Sequence, residues 1–132
     1  IDHGIEPPVM RLARQKDAAG QVQVEVAVEQ DEWIVIRIRD DGAGIDPNRI
    51  RQKMAALEPD GKWRFEDDQQ IIQHIFGWGV STRDGVSQVS GRGVGLEAVL
   101  REVEILGGTI TVQSEIYRGT CFTLRIPYRM AA

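Results

Sequence analysis

At 132 residues the chain is about one domain long, enough to bury roughly two-thirds of the surface its unfolded form would expose around a single core. With 42% hydrophobic and 27% charged residues it has the composition of a soluble globular protein, and its apolar runs are far too short to span a bilayer. A net charge of −4 with scattered arginines gives no basic footprint for nucleic acid, and a single cysteine, Cys121, excludes an intrachain disulfide and points to a reducing, cytoplasmic setting.

The first residues, "IDHGIEPP", carry no initiator methionine, basic region or apolar signal core, so the sequence reads as a cut inside a longer chain. In "QVQVEVAVEQ", Val22, Val24, Val26 and Val28 alternate with polar residues, which predicts a half-buried strand. "DEWIVIRIRD" repeats the pattern with Ile34, Ile36 and Ile38, and only Gln30, Asp31 and Glu32 separate the two, which predicts an antiparallel hairpin. "PNRIRQKMAAL" starts with a first-turn proline and places Ile50, Met54 and Leu57 at helical spacing. After the loop "EPDGKWR", "FEDDQQIIQHIF" reads as a second helix with acidic residues at its positive end. Residues 77–90 are rich in glycine and serine and read as a long mobile segment. A third helix is predicted from about Val94 to Leu106, ended by Gly107 and Gly108. The C-terminal "TITVQSEIYRGTCFTLRIP" reads as a second hairpin, with Ile110, Val112, Phe122, Leu124 and Ile126 facing inward and a turn near Arg118 and Gly119. The sum is an α+β fold, a two-layer sandwich with helices on one face of a mostly antiparallel sheet.

Three places carry chemistry. The period-two series Ile34, Ile36, Ile38 continues to Asp40, so a carboxylate ends the apolar face of the strand; Gly42 and Gly44 follow, where backbone can approach a ligand closely. Such an acceptor suits a flat ligand edge that donates a hydrogen bond, as the amino group of adenine does, although an ordinary strand-to-turn junction has the same composition. In "SGRGVGL", Gly91, Gly93 and Gly95 free successive N–H groups beside the start of a helix, an arrangement that binds phosphate and that also describes a plain loop before a helix. Neither the Walker nor the Rossmann spacing is present. Thr120 shares a face with Phe122, Leu124 and Ile126, which sets a hydroxyl at the core edge as Asp40 sets a carboxylate.

Taken in order, "IDHGIE", "DDGAGID", "FGWGVST", "GRGVGL" and "GTCFTL" resemble the boxes of the ATP-binding domain shared by histidine kinases, gyrase, Hsp90 and the mismatch-repair protein MutL. "DHGIE" and "SGRGVGLEAV" are most similar to the chemotaxis-type (CheA-like) histidine kinases. The resemblance implies one ATP-binding domain over residues 1–132, its N-terminal helix truncated, with an ATP lid at 77–90 hinged at Phe76 to Thr82. It implies that Asp40 takes the adenine amino group, that Gly42 and Gly44 shape the adenine pocket, and that Thr120 lies near the base. It places Gly91, Gly93 and Gly95 at the phosphates, with Val94 and Leu96 in the same nucleotide-binding box, and His3, beside Asp2, within reach of them; Arg92, inside that box, either aids the phosphates or faces solvent. ATP and Mg2+ are the implied ligands, and the magnesium-binding asparagine of the family falls just upstream of Ile1. Val80 and "EIYRGT" depart from the family pattern at the lid hinge and at a turn.

By the same resemblance the γ-phosphate would be presented to a histidine on a separate domain, with a response regulator downstream and no nucleic acid or membrane contact. His74 is read as a surface or partly buried histidine in a helix, not as the phosphoacceptor. The alternatives are an ATPase of the MutL or gyrase kind and a non-catalytic, anti-sigma-like partner-binding module.

Overall fold

The computed structural model of the chain describes residues 4–77 and 95–128. The predicted lid at 77–90, apart from Gly77, lies outside the described residues, as do Asp2, His3, Trp78, Val80, Gly91, Arg92, Gly93 and Val94.

The elements follow one another as α1 (Pro8–Ala13), β1 (Val22–Glu29), β2 (Trp33–Asp40), α2 (Pro47–Leu57), α3 (Asp68–Ile72), α4 (Leu96–Ile105), β3 (Thr109–Glu115) and β4 (Gly119–Pro127). The four strands form an antiparallel sheet in the order β1-β2-β4-β3. Both predicted hairpins are present. In the first, Gln30 and Asp31 each take φ 56°, the left-handed conformation that matches a tight hairpin turn to strand twist, and Glu32 N–H closes it on Glu29 O at 3.1 Å.

Helices α2 and α3 start where the sequence supplies a side-chain cap, whereas α1 and α4 follow Pro7 and Gly95 without one. Asp46 accepts from Asn48 N–H ahead of Pro47, and Asp67 with Gln70 forms a reciprocal capping box that starts α3. The predicted second helix is shorter than its pattern: α3 tightens into a 3-10 turn over Gln73–Phe76, and the loop before it contains another at Lys62–Phe65. Gln73 explains the first of these, because its side chain pairs with both backbone groups of Val112 on β3 and ties the last turn to the sheet.

The core sits between the helices and the β3–β4 half of the sheet. Ile50 and Met54 of α2, Ile71 and Ile72 of α3, Ile75, Phe76 and Val103 pack on Ile110 and Val112, with Phe122 and Leu124 partly buried against them. Phe76 meets the Phe122 ring edge-on at a centroid distance of 6.1 Å. The alternation in β1 identifies its shared face correctly, since Val24 lies opposite Ile38 and Val26 opposite Ile36. The half-buried reading of β1 is nonetheless overturned: Val24 is 65% and Val26 64% exposed. The helices cover β3 and β4, and β1 is the far edge strand, so its valines continue an apolar face that no described residue covers.

Candidate functional site

The sheet ends in a row of polar side chains on the core face. Asp40, the last residue of β2, is in register with Thr120 of β4, and Thr120 with Ser114 of β3. Ser114 Oγ donates to Gly119 O at 2.9 Å and accepts from Ile45 N–H at 2.8 Å. Its proton is thereby used, so in the 2.9 Å contact with Thr120 the threonine hydroxyl is the donor. Thr120 keeps its own lone pairs as acceptors.

Asp40 Oδ1 accepts the N–H of Gly42 at 2.9 Å; its second carboxylate oxygen has no hydrogen-bonding partner among the described residues. The row opens into a cleft of about 470 Å³, lined also by Gln69, Gln113, Glu115, Arg118 and Cys121, a volume within the range of small-molecule sites. The cleft therefore offers two neighbouring acceptors, Asp40 and Thr120, to a ligand edge that donates.

The loop after β2 is fixed by close packing. Gly44 has φ 74°, and a Cβ on it would run into the carbonyl of Glu115; a Cβ on Gly42 would run into the carbonyl of Gly4. Ala43 donates its N–H to Gly4 O at 2.8 Å and accepts from Tyr117 N–H at 2.6 Å, so the loop is stitched between the N-terminal segment and the β3–β4 turn.

Behind this loop lies a charged cluster that sequence reasoning does not find. Arg11, on α1, is fully buried. Its guanidinium reaches Glu6 Oε2 at 3.0 Å, Asp41 Oδ2 at 2.9 Å, and the carbonyls of Asp17, Ala19 and Asp41. Lys16 Nζ joins it at 2.7 Å from Glu6 Oε1. Burial alone would raise the Glu6 carboxyl, but the hydrogen bond from Lys16, its own backbone N–H and the charges of Lys16 and Arg11 outweigh that and hold it below its ordinary range. Asp41 is lowered in the same way: against burial stand the N–H of Gln21, the hydrogen bond and charge of Arg11, and its own N–H. The sequence signal available was an arginine among Val9, Met10 and Leu12 in a short segment, which says nothing of its distant partners.

Of the residues singled out from sequence, Asp40 and Thr120 line the cleft together, and Gly42 and Gly44 form the loop beside it. Gly95 and Leu96 stand at the start of α4, outside the cleft lining. Gly95 O accepts from Ala98 and Val99 N–H, and Leu96 packs on the core. His3, Gly91, Arg92, Gly93 and Val94 lie outside the described residues. His74 is partly buried, 2.7 Å from Glu66. Ser114 was missed, although Ile110 and Val112 continue to it in the period-two series that singles out Asp40 on β2. Among the described residues no three His, Cys, Asp or Glu side chains converge as metal ligands.

Residues 2–130 match the family described as histidine kinase-, DNA gyrase B-, and HSP90-like ATPases. The chain belongs to this ATPase family. Similar proteins within the family include a gliding motility regulatory protein of Myxococcus xanthus, 41% identical over 99% of this chain and 17% of its own length. They also include the chemotaxis protein CheA of Rhizobium meliloti, 37% identical over 99% and 17%, and the sensor histidine kinase CheAY of Helicobacter pylori, 40% identical over 98% and 16%. The chain thus spans under a fifth of the length of these relatives. Among solved structures, full-length ShkA in complex with AMPPNP superposes with a TM-score of 0.54 at 23% identity, covering 87% of this chain and 19% of that one. The mycobacterial sensor histidine kinase MprB gives 0.54 at 18%, covering 95% and 70%. These likenesses establish the α+β ATPase-domain fold. Membership of the ATPase family makes ATP the ligand class of the domain.

Proposed function

We propose that the chain is the ATP-binding catalytic domain of a chemotaxis-type histidine kinase, which presents the γ-phosphate of Mg-ATP to a histidine on a separate domain. The observation that carries this reading is the paired acceptor row of Asp40 and Thr120 at the mouth of a cleft in a chain whose relatives are CheA proteins. The two oxygens suit the amino edge of adenine: the carboxylate accepts its N–H, and the Thr120 hydroxyl, its proton committed to Ser114, accepts or bridges through water. Gly42 and Gly44 shape the pocket by letting the loop after Asp40 pack closely on the backbone of Gly4 and Glu115.

The phosphate end falls to Gly91, Arg92, Gly93, Val94, Gly95 and Leu96, with His3 in reach and residues 77–90 as the ATP lid of a single domain. The magnesium ligand is the family's asparagine upstream of Ile1. Phosphoryl transfer depends mostly on positioning and charge neutralisation, so a domain that holds nucleotide and brings no nucleophile of its own is a complete half of the reaction. The partners are a histidine-containing phosphoacceptor domain and a downstream response regulator, in the cytoplasm. No helix among the described residues is long and apolar enough to cross a membrane.

Incubation of the full-length protein with γ-labelled ATP tests the reading. A kinase becomes labelled through a phosphoramidate, stable in alkali and labile in acid. Release of inorganic phosphate with no label on protein would replace it with the ATPase reading.

A further inference from the structure

The two peptide groups that follow Asp41 are each held at both ends. Asp41 O accepts from Lys16 Nζ at 2.9 Å and from Arg11 Nη1 at 3.2 Å, and the N–H at the other end of that peptide, on Gly42, donates to Asp40 Oδ1. Gly42 O accepts from the same Lys16 Nζ at 2.9 Å, and the N–H across that peptide, on Ala43, donates to Gly4 O. A trans peptide is planar with its C=O and N–H directed oppositely, and the described chain has no cis bonds. A cation seated on the oxygen therefore sets the direction of the hydrogen at the other end.

Lys16 is built for this position. An ammonium has three donors, and here they go to Asp41 O, Gly42 O and Glu6 Oε1, with the side chain 17% exposed. Its backbone is placed by the end of α1: Gln15 takes φ 61° and turns the chain, and Lys16 N–H returns to Arg11 O at 2.9 Å. Glu6 is held in turn by the buried Arg11, so the ammonium rests on an anchored carboxylate.

We infer that Lys16 is a positioning residue for adenine recognition: by pinning two successive carbonyls it fixes the Gly42 N–H that orients the Asp40 carboxylate, leaving the second oxygen to take the amino group of the base. The inference rests on the nucleotide reading of the cleft proposed above. Lys16 itself touches no ligand in this account. Its effect is selective, falling on the part of the affinity that depends on the amino donor.

The test compares dissociation constants of the full-length protein for ATP and for ITP, which carries an oxo group where adenine has its amino group. The variants are Lys16→Met, Lys16→Arg and, as reference, Asp40→Asn, each checked for a folded state at the assay temperature. Loss of one charge-assisted hydrogen bond predicts that Lys16→Met weakens ATP binding about tenfold and ITP binding by less than about twofold, so that the preference for ATP collapses toward that of Asp40→Asn. Lys16→Arg keeps the charge and the fold but cannot place one nitrogen on all three oxygens, and it loses part of the preference. An unchanged ATP-to-ITP ratio in Lys16→Met, or in Lys16→Arg where the methionine variant does not fold, overturns the inference even if stability falls, since a merely structural lysine leaves base preference intact. If Asp40→Asn also leaves ATP affinity unchanged, the nucleotide reading of the cleft fails first.

Discussion

Asp40 and Thr120 face each other on the last row of the β2–β4 ladder, and the threonine hydroxyl gives its proton to Ser114 on the next strand. A carboxylate and a hydroxyl oxygen thus stand side by side as acceptors where the apolar face of the sheet ends, held by its two central strands.

The hydroxyl row predicts an asymmetry. Thr120→Val removes one donor from Ser114 and is expected to lower stability by about 1 kcal/mol, with ATP affinity reduced a few-fold. Ser114→Ala leaves Ile45 N–H and Gly119 O without their partner and is expected to cost about 2–3 kcal/mol. Urea unfolding of both variants checks the order; equal losses would mean that Ser114 is not the hub of the row.

The loop beside Asp40 does not accept a side chain at Gly44. Gly44→Ala combines a positive φ with a Cβ driven into the carbonyl of Glu115, and is expected to destabilise by roughly 2 kcal/mol or more. Thermal unfolding measures it, and a shift within error would show that the loop moves aside freely.

The Glu6–Arg11–Asp41 cluster predicts acid sensitivity. Both carboxyls are held below their ordinary values of 4.5 and 3.8, so the unfolded chain takes up protons first as pH falls. Their contribution is complete above those ordinary values and is lost as pH drops through the lower folded-state values. Melting temperatures followed from about pH 7 to about pH 3 are expected to fall most steeply below about pH 4.5, and Glu6→Gln is expected to flatten the slope while lowering stability at neutral pH. A Glu6→Gln curve parallel to that of the unmodified protein would contradict the assignment.

Helices α1 and α4 end in the same way, with Lys16 N–H returning to Arg11 O and Gly108 N–H to Val103 O. The left-handed residue is Gly107 in one and Gln15 in the other, at φ 79° and 61°. Gln15→Gly relieves a non-glycine residue in that conformation and is expected to stabilise by about 1 kcal/mol, read as a higher denaturation midpoint. A loss of stability would show that the glutamine side chain contributes something the backbone does not reveal.

Strand alternation and helix caps are local, and both were legible in the sequence. The two hairpins, the face of Ile38 and Asp40 on β2, that of Thr120 and Phe122 on β4, and the start of α2 each follow from residues close in sequence, whereas the meeting of those two faces is set by the long-range β2–β4 pairing. Alternation cannot say whether anything lies over a face, which is why Val24 and Val26 prove exposed on an edge strand. The six residues of α1 are too few to display a helical period, and the burial of Arg11 depends on Glu6, the backbone near Asp17 and Ala19, and Asp41 far along the chain. Asp40 was visible because it ends an apolar series. The lysine behind it was not, because its work is done on backbone carbonyls that carry no sequence signature.

The placement of adenine is decided by calorimetric titration of a non-hydrolysable ATP analogue into the full-length protein and its Asp40→Asn variant. Saturable binding is expected, weaker by about 2 kcal/mol in the variant, with the unfolding transition preserved. Equal affinity in the two proteins would contradict the placement of adenine at the Asp40–Thr120 row.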